Sequence, residues 1–190
     1  MKRTLKQEIL SKRNHLSKEE IRKKSSEIKN KFYSLPEFKK SKNILFYVSF
    51  NNEVDTHGII EELLKNKEKT IIVPYVEKHN LILQLSELKD FNGLEPKTFG
   101  ILEPKKNFIR EFNPEKLDLA VIPGLVFFKD GHRIGYGYGY YDRFLKTLKK
   151  KPVKIGLAFD IQIAEKIPHE EHDIPMDIII TEKEIMHCKK

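Results

Sequence analysis

Residues 44–76 read Ile44-Leu-Phe-Tyr-Val-Ser-Phe50, Asn51-Asn-Glu-Val-Asp-Thr56, His57-Gly-Ile-Ile-Glu-Glu-Leu-Leu64, Lys65-Asn-Lys-Glu-Lys69 and Thr70-Ile-Ile-Val-Pro-Tyr-Val76. The continuous apolar run from Ile44 to Phe50 is the pattern of a strand covered on both faces, as in a parallel sheet. Ile59, Ile60, Leu63 and Leu64 then recur at helical spacing, and Thr70 to Val76 supplies the next strand. Strand, helix and strand in this order make a β-α-β unit. The expected fold class is therefore α/β, three-layered, with a mostly parallel central sheet and helices on both faces. Ligands of such sheets bind beyond the carboxyl ends of the strands. Glu53, in the turn after the first strand, stands where a site residue would be; a solvated turn carboxylate is the other reading.

A second stretch carries the chemistry. The apolar run Leu117 to Ile122 reads as a strand and about Tyr140 to Lys150 as a helix, so the segment between them is a strand-to-helix connection. Within it, Gly135, Gly137 and Gly139 alternate with Ile134, Tyr136 and Tyr138. Glycines so placed can take positive φ or admit a ligand close to the backbone. Successive amides can then form an anion nest, to which the start of the following helix adds unpaired donors. Arg133 enters the loop, and Asp142 with Arg143 leaves it. The loop lacks the Lys-Ser/Thr end of a Walker A sequence and the third glycine of a dinucleotide fingerprint. Glycine spacing alone favours a turn-rich surface connector slightly over a phosphate cradle. Three glycines, two arginines, one Asp and four tyrosines between Arg133 and Arg143 favour the cradle, since a mere connector has no need of such residues.

Pro123-Gly-Leu-Val-Phe, followed by Gly131-x-Arg133-Ile-Gly-Tyr-Gly-x-Gly-Tyr-Tyr-Asp142-Arg143-Phe-Leu, closely resembles the signature of the 5-formyltetrahydrofolate cyclo-ligase family. The resemblance extends to a basic N-terminal helix, to Glu53 and to a segment around Asp173. It implies an ATP-dependent ring closure of 5-formyltetrahydrofolate, with ATP and Mg2+ as cofactors. By the same resemblance, Lys2, Arg3 and Lys6 join Arg133, Ile134, Gly135, Tyr136, Gly137, Tyr138, Gly139, Tyr140 and Tyr141 in binding ATP. Val48, Glu53 and residues Tyr136 through Tyr140 would meet the folate, Asp142 and Asp173 would hold magnesium, and Arg133 and Asp142 would be catalytic. Asp142→Ala is accordingly expected to cut turnover while leaving the fold intact. The family usually has Gly or Lys where this sequence has Tyr138; a phenol there would either narrow the phosphate site or extend the folate platform.

The remaining sequence is read from its residues. A length of 190 residues fits a single domain spanning 1–190. The net charge of +8 implies affinity for anions such as a nucleotide or a polyglutamylated folate. The lysines are scattered and match no nucleic-acid motif, so neither nucleic acid nor membrane is expected as a partner. A monomer is expected ahead of an oligomer. Cys188 is the only cysteine, which excludes an internal disulfide and a Cys-rich zinc site. With no apolar leader at the start and no spanning run, the expected location is the cytoplasm.

Residues 2–14 form a predicted basic amphipathic helix with Leu5, Ile9 and Leu10 on its apolar face and Lys2, Arg3, Lys6, Lys12 and Arg13 around the solvated rest. Ser17-Lys-Glu-Glu20 is a capping box that starts a second helix at Lys18, with Leu16 and Ile21 as its staple and Pro36 as its end. Leu81 to Leu85 should pair with Thr70 to Val76 through a turn at Glu77 to Asn80. Residues 86–116 read as a loop-rich excursion in which Phe91, Phe99 and Phe108 line a pocket or pack in the core. Val153 to Phe159 reads as a strand, Ile161 to Ile167 as a short helix, and Met176 to Thr181 as a last strand. His169 and His172 raise a zinc reading, but His-Glu-Glu-His after Pro168 is not the His-Glu-x-x-His of a zinc helix. Two other classes stay open: a sugar-phosphate isomerase or effector-binding α/β protein, and a basic nucleic-acid module.

Overall fold

The computed structural model describes residues 2–76, 82–97, 100–165 and 173–188, with only the backbone of Lys2. Its middle layer is a seven-stranded sheet built around β1 (Asn43–Leu45). On one side of β1 lie β2 (Thr70–Val76), parallel to it, and then β3 (Leu83–Leu88), antiparallel. The hairpin β4 (Leu94–Pro96) and β5 (Leu102–Pro104) follows within the loop-rich excursion. On the other side of β1 lie β6 (Leu119–Ile122), β9 (Val153–Leu157) and β11 (Ile178–Ile180), all parallel, with β12 (Ile185–His187) antiparallel at the edge.

Alternation along these strands builds two cores. Ile44, Ile71, Val73, Leu119, Val121, Ile155, Ile178 and Ile180 face one way; Leu45, Ile72, Ala120, Ile122 and Ile179 face the other. The first face is covered by α2 (Lys18–Ser34), α3 (Pro36–Lys40) and α4 (His57–Asn66), through Ile28, Phe32, Phe38, Ile59, Ile60 and Leu63. The second is covered by α5 (Tyr140–Thr147), through Phe144 and Leu145 with Leu148 beyond its end. The three-layer expectation holds. The predicted capping box is formed as well: Glu20 N donates to Ser17 Oγ at 3.2 Å and Ser17 N to Glu20 Oε2 at 2.8 Å. Such a cap stabilises a helix by about 1 kcal/mol.

A small second sheet stands beside the first, with β7 (Val126–Phe128) between β8 (Arg133–Ile134) and β10 (Ile163–Ala164). Helix α1 (Lys2–Asn14) lies against it by burying Ile9 with Leu125, Val126, Phe128 and Ile134. The fully buried Phe127 joins the two sheets. Its ring sits so close to Gly124 and Gly156 that a Cβ there would come within 2.7 and 2.5 Å of it.

Several sequence expectations are corrected. The strand beginning at Ile44 leaves the ladder after Leu45, apart from one bond from Phe46 N to Ile72 O at 2.9 Å, and Tyr47 lines a crevice instead. Leu10 is exposed at 36% whereas Arg13, expected on the solvated side of α1, is only 1% exposed. Ile161 does not open a helix: a 3-10 turn at Asp160–Gln162 leads into β10. The cause is Gln162, whose buried amide donates to Gly124 O and Leu125 O at 3.0 and 3.1 Å and accepts from Phe159 N at 3.0 Å. The fifth helix stops at Thr147, and β12 was not expected. The turn Glu77 to Asn80, Phe99 and both histidines of the zinc reading lie outside the described residues. Phe108 is 40% exposed and so does not pack in the core, whereas Phe91 packs against it. No described helix is long and apolar enough to cross a membrane.

Candidate active site

The chain leaves β1 towards β2 on one side, while its other neighbour β6 leads on towards β9. At that reversal lies a narrow crevice of about 170 Å³, too tight to hold a water, at the carboxyl ends of the strands, where ligands of such sheets bind. Arg13, Tyr47, Glu53, Val54, Pro123, Gly124, Leu157 and Gln162 line it. The turn that carries Glu53 is tied down by Thr56, which donates through Oγ1 to Tyr47 O at 2.8 Å and accepts from Ser49 N at 2.9 Å. Tyr47 adds a bond from its hydroxyl to Val54 O at 3.1 Å. Val48 is buried on the same segment.

Glu53 is buried, and each of its oxygens accepts one hydrogen bond. Phe50 N donates to its Oε2 at 2.9 Å, and the Tyr136 hydroxyl to its Oε1 at 2.6 Å. Burial raises the carboxyl's pKa, against the Tyr136 and Phe50 hydrogen bonds and the charge of Arg13, which lower it. Arg13 Nη2 in turn donates to the Tyr136 hydroxyl at 3.0 Å. Arg13, Tyr47 and Gln162 were not foreseen as site residues. Arg13 left one signal: it stands four residues after Ile9, on the buried face of the helix.

Tyr136 belongs to the glycine loop, so crevice and loop share a wall. Gly137 and Gly139 adopt φ values of 113° and 65°, while Gly135 needs no positive φ and has nothing within 4 Å of where a Cβ would stand. Gly139 is the N-cap of α5 and brings no side chain to its amides. Lys6 reaches across from α1, its Nζ 3.7 Å from the Cβ position of Gly137. Arg3 is exposed on the same helix. Tyr138 is 54% exposed and stacks on Tyr140 with ring centres 5.8 Å apart. Tyr141 packs against both cores, and burial with the Glu53 charge raises its pKa. Ile134 is buried and holds the loop's entry through a bond from Leu125 N to its carbonyl at 2.8 Å.

At the far side of the loop, Arg133 grips Asp142, Nη1 to Oδ1 at 3.2 Å and Nη2 to Oδ2 at 3.1 Å. Arg133 Nη1 also donates to Ile174 O at 3.1 Å, and Ile174 N to Asp142 Oδ1 at 3.2 Å. Asp173 therefore enters next to this pair. The approach is fixed by Gly131, whose carbonyl accepts from Met176 N at 2.8 Å and whose φ is 94°. Among the described residues, no group of three or more His, Cys, Asp or Glu could hold a metal. A carboxylate offers about four lone-pair positions, of which three are occupied at Asp142. The position that remains at Asp142 suits magnesium, an ion that takes one or two protein carboxylates and fills its octahedron with phosphate oxygens and water; Asp173, next to Ile174 in the chain, would be the second carboxylate.

Fold and site together define an α/β enzyme with a glycine loop set against a switch-point crevice. The profile of the 5-formyltetrahydrofolate cyclo-ligase family matches residues 1–182, and the chain belongs to that family. The mouse 5-formyltetrahydrofolate cyclo-ligase is 33% identical over 189 residues, 95% of this chain and 93% of the mouse protein. The Haemophilus influenzae cyclo-ligase is 35% identical over 150 residues, 77% of this chain and 80% of its own length. Among solved structures, Aquifex aeolicus 5,10-methenyltetrahydrofolate synthetase superposes with a TM-score of 0.87 at 38% identity, covering 100% of this chain and 93% of that one.

Proposed function

We propose that this chain converts 5-formyltetrahydrofolate to 5,10-methenyltetrahydrofolate in an ATP- and magnesium-dependent reaction that releases ADP and phosphate. One observation carries the reading. Tyr136 sits in the glycine loop beside Lys6 while its hydroxyl bonds Glu53 in the crevice, so a phosphate donor on the loop and a folate in the crevice would meet at one residue.

An N-formyl group is an amide, a poor electrophile whose oxygen cannot leave unaided. The formyl oxygen attacks the γ-phosphate of ATP and ADP departs; N10 then adds to the activated carbon and loses its proton to water. Cleavage of the carbon–oxygen bond releases phosphate carrying the former formyl oxygen. The protein's contribution is positioning and charge neutralisation. Lys2, Arg3, Lys6, Arg133 and the amides from Gly135 to Tyr141 would hold the nucleotide. Val48 would supply an apolar wall, the tyrosines from Tyr136 to Tyr140 a platform, and Glu53 an acceptor for the folate ring's N–H groups. Asp142 and Asp173 would hold magnesium, which when bound offsets the charge of the phosphates.

The test is near-ultraviolet absorbance of 5-formyltetrahydrofolate incubated with protein, magnesium and ATP, alongside ADP release. Methenyl product and ADP in equal amounts are expected. Folded protein that forms neither would overturn the reading.

A further inference from the structure

A guanidinium buried to 1% exposure is costly unless it is fully paired. Arg13 is not: its one side-chain bond goes to the neutral hydroxyl of Tyr136, and its Nε and Nη1 have no acceptor among the described residues. Stability alone gives no reason to keep such a group. Features of this kind mark places where function overrides packing.

The hydrogen bonds fix the direction of the chain Arg13 to Tyr136 to Glu53. Arginine can only donate, so the Tyr136 oxygen accepts from it at 3.0 Å and turns its own proton onto Glu53 Oε1 at 2.6 Å. Glu53 is thereby presented as an acceptor, its second oxygen steadied by Phe50 N. The other titratable groups facing this carboxylate are Tyr47 and Tyr141, both of which its charge disfavours as phenolates. Arg13 is thus the one cation on this side of the carboxylate among the described groups that act on it.

We propose that Arg13 is a positioning residue for the folate: acting through Tyr136, it holds Glu53 aimed, as an acceptor, at the ligand's N–H donors. The role rests on the ring-closure reading. Below the pKa of Glu53 the carboxyl is protonated, one of its oxygens becomes a donor and the charge that favours the ligand's N–H groups is gone, so folate capture weakens as the pH falls through that value. Removing the Arg13 charge, or the Tyr136 hydroxyl that transmits it, moves this loss to higher pH.

The experiment compares wild type with Arg13→Met, Arg13→Lys and Tyr136→Phe. It measures the Glu53 carboxyl titration by 13C NMR in ligand-free protein and the pH profile of kcat/KM for 5-formyltetrahydrofolate at saturating ATP. Arg13→Met and Tyr136→Phe should move the titration and the acid limb upward together. At a fixed pH on that limb, kcat/KM should fall about tenfold for every pH unit by which the limb moves. Arg13→Lys should return the titration part of the way to wild type, which a packing defect would not do. Should Arg13→Met fail to fold, Tyr136→Phe tests the same chain at a residue 46% exposed. A titration and limb left at wild-type values overturn the proposal. Because the titration is read without substrate, its outcome is separate from any failure of wild type to form product.

Discussion

Arg133 and Asp142 form a two-pronged ion pair in which the arginine side chain is 5% exposed and the carboxylate 23%. The expectation that Asp142→Ala leaves the fold untouched is therefore revised, since that change strands a buried guanidinium. Loss of a buried partner costs about 3 kcal/mol or somewhat more. Denaturant unfolding of Asp142→Ala should show a loss of this size. Its turnover should fall by about 10² to 10³, the scale of a lost transition-state charge contact. Wild-type stability would mean that the pair contributes nothing to the fold.

Lys6 bridges from α1 to Gly137, and its removal should act on the nucleotide. A charge-assisted contact of about 1.5–3 kcal/mol corresponds to about tenfold or more in affinity. Initial rates of Lys6→Ala against ATP, at saturating folate, should give a KM raised by that factor. An unchanged KM would detach α1 from the site.

Two glycines should respond in opposite ways. At Gly131 a Cβ would stand 2.5 Å from Met176 O on a backbone of φ 94°. The positive φ alone costs about 1–2 kcal/mol for an L-residue, so Gly131→Ala should lower the melting temperature clearly. Gly135→Ala meets no atom within 4 Å and should melt like wild type. Its methyl group, however, would project into the proposed phosphate cradle and should raise the KM for ATP. Normal ATP kinetics in Gly135→Ala would argue against phosphates lying over that residue.

Cys188 is held in its thiol form. Burial, with the charges of Asp177 and Asp130, pushes its pKa up to about 11. Since the thiolate is the reactive species, labelling of native protein by iodoacetamide should be slow at pH 8 and accelerate as the pH rises towards that value. In denaturant the same thiol should react quickly at pH 8. Equal rates in the two states would contradict the burial.

The sequence was most legible where one residue type has one physical use. The β-α-β unit from Ile44 to Val76, the capping box at Ser17 and Glu20, and the glycine loop all stand where their patterns indicated. It was least legible where hydrophobicity had to stand in for hydrogen bonding. Residues 47–50 read as the continuation of an apolar strand, but leave the ladder, and Tyr47 walls the crevice. Ile161 and Ile163 flank Gln162, whose long-range amide bonds override the local helical pattern. Arg13 was misread for a related reason: on an amphipathic helix a charge is assigned to water, and only its tertiary partners reveal that it turns inward.

Helix α1 rests on its own small core around Ile9, Val126 and Phe128, apart from the two cores that clamp the main sheet. This separate footing makes it a natural unit of partial opening, one that could undock at a fraction of the global unfolding free energy. Undocking would withdraw Lys6 and Arg13 together, dismantling the loop's anion contacts and the support of Glu53 in one event. Ligand on the loop would then act as a latch for the first helix, registered as a slowing of hydrogen exchange that is greater in residues 4–14 than in the strands of the main sheet.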